Sequence, residues 1–67
     1  MLLAHLPALA AADPPADNPR VQKSHLLENG ALYDFAIREL QLAAAEDDHG
    51  NAWLTPEIVR VYEAAAT

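Results

Sequence analysis

The sequence predicts a small all-α domain. Three observations carry that expectation. The apolar residues between Gly30 and Glu46 recur with the α-helical period. The same stretch is dominated by Ala, Leu, Glu, Gln and Arg, all good helix formers. No stretch alternates apolar and polar residues as a half-buried strand does. The expected order is an apolar N-terminal arm or short helix over 1–12, a Pro-rich linker over 13–19 and a helical domain over 20–67. That domain comprises a long central helix and a short C-terminal one.

Met1 to Ala12 is apolar but too short to cross a bilayer, which takes about 20 residues. It shares an apolar run and an Ala8-Leu9-Ala10 site with secretory leaders. It lacks their basic start, and Pro7 interrupts the run. The expectation is an arm that lays Leu2, Leu3, Leu6 and Leu9 on a partner surface. Pro14, Pro15 and Pro19 favour an extended path for the linker. Asn18-Pro19 then starts a helix, with Asn as the cap and Pro at the first helical position.

In the central segment, Leu32, Tyr33, Ala36, Ile37, Leu40, Ala43 and Ala44 share one sector about 140° wide at 100° per residue. Val21, His25 and Leu26 join that sector if the helix is continuous. Asn29-Gly30 is the point at issue, since Gly is both a helix stop and a costly helix interior. No strong N-cap precedes Leu32, which favours one long helix bent at Gly30. Phe35 and Leu42 fall outside the main sector. They form a second, narrower stripe between Asp34 and Arg38 on one flank and Glu39 and Glu46 on the other. Asp34 precedes Arg38 by four residues, the favourable order for an ion pair. Two stripes on one helix point to contact with two surfaces, either both within one small core or one on a partner.

The acidic run Glu46-Asp47-Asp48 opposes the helix dipole, and Gly50 stops the helix. Trp53 follows in a connection, where a large ring acts as an anchor or as a partner contact. Thr55-Pro56-Glu57 reads as an N-cap, a first-position proline and a first-turn acid. Leu54 and Val59 are spaced for a hydrophobic staple, and Ile58, Val59, Tyr62 and Ala65 supply the core stripe of the last helix.

The totals narrow the function. Sixty-seven residues make one domain, and a free domain of that size buries only about 60% of its unfolded surface. With no cysteine, disulfides and thiolate metal sites are excluded, which leaves oligomerisation or docking on a larger protein as the source of stability. Absence of cysteine also fits a reducing, cytoplasmic setting. Four Lys or Arg against ten Asp or Glu give a net charge of −6. No basic cluster exists to neutralise phosphates, and no polybasic face exists to lie on a membrane. The last helix carries one arginine and no lysine, too few for a DNA-recognition helix.

No motif carries catalysis. Ser24 and His25 are neighbours, so on a helix they point about 100° apart and cannot form a nucleophile–base pair. Glu46-x-x-His49 has the spacing of a di-iron ligand pair but lacks inward carboxylates to complete it. Asp47-x-His49-x-Asn51 fails as a calcium loop, because Ile58 stands where the bidentate acid belongs. No phosphate-binding glycine loop is present, so no cofactor and no metal are expected. The expected function is a non-catalytic protein–protein contact, as an accessory subunit on a larger protein or as a helical homo-oligomer. The expected contact residues are Leu2, Leu3, Leu6, Leu9, Phe35, Leu42 and Trp53. The rival is a small acidic inhibitor or antitoxin-like protein that covers a basic, nucleic-acid-binding surface of its target. Such a protein gathers carboxylates on one face, whereas here only Glu46-Asp47-Asp48 cluster.

Overall fold

The computed structural model describes residues 13–47 and 50–67. The chain is all-helical over those residues. Helix α1 spans Pro19–Asn29, α2 spans Tyr33–Glu46 and α3 spans Leu54–Ala66. Helices α1 and α2 pack along each other, and α3 packs mainly on α2.

Helix α1 begins where Asn18-Pro19 predicts. The Asn18 side chain accepts from the backbone N–H of Arg20 at 2.8 Å and of Val21 at 3.3 Å. The linker's last residues turn onto this cap: the Asn18 N–H donates to the Pro15 carbonyl, and the Gln22 side chain donates to the Ala16 carbonyl.

The continuous central helix is not observed. The chain reverses between Asn29 and Tyr33 through a Schellman arrangement. The Leu32 N–H donates to the Leu27 carbonyl and the Ala31 N–H to the Glu28 carbonyl, both at 2.9 Å. The left-handed residue that this motif requires is Ala31, at φ 61°, and Gly30 one position earlier keeps φ −90°. The missing N-cap at Leu32 did not prevent α2 from starting, because the closing bonds of α1 satisfy the turn. Helix α2 therefore begins with no side-chain cap at all. Ala31 holds a conformation that costs an L-residue roughly 1–2 kcal/mol. Ala31→Gly is thus expected to raise stability by about 1 kcal/mol, read as a higher midpoint in urea. A lower midpoint would show that the left-handed turn is not what joins α1 to α2.

The core lies between the three helices. Val21 from α1, Ile37, Leu40, Ala43 and Ala44 from α2, and Trp53 and Val61 around α3 form one buried cluster, with Tyr33, Leu54 and Ile58 packed against it. The main stripe of the central segment is thus the core face. Leu32, Leu26 and His25 are exceptions: all three are exposed, because the break at Gly30 re-aims α1. Leu26 lies about 140° round α1 from the buried Val21.

The last helix starts earlier than its sequence signals imply. Trp53 takes the N-cap position and Leu54 the first turn, following a bond from the Leu54 N–H to the Asn51 carbonyl. Pro56 still falls within the first turn, where its missing N–H costs nothing. The core stripe also differs. Leu54, Glu57, Ile58 and Val61 face inward, while Val59 and Tyr62 are exposed. The staple between Leu54 and Val59 is accordingly absent. An apolar count on α3 cannot show this, because Glu57 occupies an inward position that the pattern assigns to apolar residues.

Candidate interaction surface

Two ion-pair clusters tie the helices together, and both bear on which surface remains for a partner. The first joins α1 to α2. Arg20 donates to Glu39 at 3.1 Å and to Glu46 at 3.0 Å, and the Lys23 ammonium lies 3.7 Å from Glu39. Its hydrogen bonds, to Glu46 first and Glu39 second, hold the Arg20 guanidinium charged beyond its ordinary range. Glu46 sits at the C-terminal end of α2, where a bare acid opposes the dipole, and Arg20 offsets that conflict. Asp47 is engaged too, since the Trp53 indole N–H donates to it at 3.3 Å.

The second cluster joins α1 to α3. Arg60 grips Glu28 with two nitrogens, at 2.8 and 2.7 Å, and Glu57 at 2.7 Å. The His25 ring lies 3.6 Å from Glu57. Glu57 is only 8% exposed, and these contacts supply the polar partners that a buried carboxyl group needs. Arg60 in turn is held charged, first by its hydrogen bonds to Glu28 and then by those to Glu57.

The Arg60 hydrogen bonds hold the Glu28 carboxyl below its usual range, against the opposing effect of burial. A depressed carboxyl stabilises the fold above the unfolded value, about 4.3 for Glu. That contribution disappears as pH falls through the folded value. Arg60→Gln is therefore expected to lower stability at pH 7 and to flatten the loss on acidification. Breaking a fully buried pair costs several kcal/mol; with Arg60 half-exposed, solvent screening reduces this to about 1–2 kcal/mol. Urea melts of both proteins from neutral pH down through the carboxylate range measure it. Equal slopes on acidification would remove Arg60 as the source of the Glu28 shift.

Ser24 and His25 are built into this framework rather than into a reactive pair. The Ser24 hydroxyl is buried and donates back to the Val21 carbonyl at 2.6 Å. His49 lies outside the described residues, and so does the metal motif that it would complete. Among the described residues no group of three or more His, Asp or Glu is placed to hold a metal ion. No helix there is long and apolar enough to cross a membrane.

Exposed apolar residues remain on α1 and α3, Leu26, Val59 and Tyr62, and the second stripe of α2 remains exposed as a pair. Phe35 is 62% exposed and Leu42 37%. They lie about 140° and 160° round the helix from the fully buried Leu40, in the same sense and so about 20° from each other, on the side facing away from the core. Trp53 does not join them. At 5% exposure it belongs to the core of this chain and is not available to a partner. Leu2, Leu3, Leu6 and Leu9 lie outside the described residues. The expected Asp34–Arg38 bond is not formed: both side chains are exposed, and no ion pair joins them among the described residues.

The two ion-pair clusters were not legible in the sequence. Glu28 and Arg60 are 32 residues apart, and Arg20 and Glu46 are 26 apart. No local spacing rule links such pairs. A faint signal existed in Glu57, an acid at an inward position of α3.

No protein-family model matches the chain, and no curated protein or solved structure is significantly similar to it.

Proposed function

We propose that the chain is a non-catalytic protein–protein contact module whose contact face is the Phe35–Leu42 side of α2. The observation that carries this reading is an exposed aromatic ring and an exposed leucine, one above the other, on the side of a core helix opposite its buried stripe. Charged residues flank the pair on both sides, giving a dry centre and a wet rim. Aromatic residues in such positions are enriched among hot spots. A cytoplasmic setting goes with this reading, since the chain has no cysteine to oxidise.

The acidic-inhibitor reading has less support. Glu28, Glu39, Glu46 and Glu57 are engaged by Arg20, Lys23 and Arg60 inside the chain. Those carboxylates are not free to imitate a row of phosphates. The same pairing uses three of the four cations, which argues against direct nucleic-acid binding.

The test is a photo-crosslinking residue placed at Phe35 and, as a control, at exposed Glu63 on α3. Adducts formed at 35 and not at 63 are the expected result. Phe35→Ala should keep stability within about 1 kcal/mol of the parent. It should weaken assembly by about 2 kcal/mol or more, read by light scattering against concentration. An unfolded Phe35→Ala chain would place both stripes of α2 in one core and end this reading.

A further inference from the structure

We propose that the occupant of the Phe35–Leu42 face is a second copy of this chain, with the two α2 helices antiparallel about a two-fold axis level with Ala36. This rests on the contact reading above and specifies its partner. The argument is one of charge. Among the described residues Arg38 is the only Lys or Arg without an internal ion pair, since Arg20, Lys23 and Arg60 are each engaged. Asp34 stands four residues before Arg38 on the same flank of α2, and the two do not bond to each other. In an antiparallel helix pair with a two-fold axis, each flank faces itself. An axis at the level of Ala36, midway between 34 and 38, sets Asp34 of each copy beside Arg38 of the other. The interface is then isologous and makes the same ion pair twice.

The apolar residues agree with that register. Phe35 lies one residue from the axis, so the two rings meet at the centre, about 3 Å apart along the helix direction. Leu42 of one copy comes level with Gly30 of the other, two residues before Leu32, which is exposed. The opposite flank does not repel its copy, because Arg20 and Lys23 already neutralise Glu39 and Glu46. Both flanks are therefore locally neutral, despite the chain's net charge of −6. A strongly basic partner would find little there to bind, whereas a surface carrying one acid and one base in this order fits itself.

Sedimentation of the full chain across micromolar to submillimolar concentration tests the proposal. The expected species is a dimer. Arg38→Asp and Asp34→Arg, each of which sets like charges face to face, should weaken it by about tenfold or more. The double variant Asp34→Arg with Arg38→Asp restores self-complementarity and should recover the parent's association. Helicity by circular dichroism should be the same in all four proteins, because neither residue is buried. A dimer indifferent to the single reversals, or not recovered in the double variant, overturns the proposed geometry. A folded monomer at every concentration overturns the second copy. In that case a crosslinker at Phe35 that captures a different protein keeps the contact reading, and one that captures nothing removes both.

Discussion

Leu40→Ala is expected to lower stability by about 2–5 kcal/mol, the range for removing a buried leucine and leaving a cavity. Leu40 is fully buried and shares one cluster with Val21 of α1, Trp53 and Val61. Every helix therefore loses contacts when it is shortened. At ordinary per-residue values, a chain of 67 residues has a total stability of roughly 3–10 kcal/mol. The variant should then show a urea midpoint lowered by at least about a fifth, and at the lower end of that stability range it should be largely unfolded at room temperature. The contrast with Phe35→Ala is the informative part, since the two residues are five apart on one helix and differ in which side they face. A Leu40→Ala loss below about 1 kcal/mol would mean that α2 does not carry the core.

Trp53→Ala is expected to cost as much or more, about 3–5 kcal/mol. The ring is nearly buried and sits at the N-cap of α3, so it fixes where the last helix meets α2. Its N–H also donates to Asp47 at the end of α2. Trp53→Phe separates the two contributions: most of the apolar area remains and the hydrogen bond is lost, at a cost of about 1 kcal/mol. Chemical melts followed by circular dichroism at 222 nm suit both variants, because the only tryptophan is removed as a fluorescent probe. If Trp53→Phe proved as damaging as Trp53→Ala, the indole N–H would outweigh the ring. If both were mild, α3 would be held chiefly by the Arg60 cluster.

Some features follow from the sequence by itself. Period and composition specify the all-helical class, the core face of α2 from Ala36 to Ala44, and the separation of Phe35 and Leu42 from that face. These are local properties, since residues three, four and seven apart on one helix share a face whatever surrounds it. Asn18-Pro19 is legible for the same reason: a cap acts on N–H groups two and three residues away.

The tertiary structure decided the rest. Whether the chain bends or reverses at Gly30 depends on whether α1 gains enough by packing on α2 to hold Ala31 in a left-handed conformation, and no local preference of alanine predicts that. The fate of Trp53, an anchor or a partner contact by sequence and a core residue by structure, depends on how α3 returns to α2. The inward Glu57 is tolerable because Arg60, one turn on in α3, donates to it and the His25 ring of α1 lies 3.6 Å away. Charges that meet across 26 or 32 residues leave no spacing to read. Their pairing is a consequence of packing, which brings them close enough for the Coulomb and hydrogen-bond terms to offset desolvation.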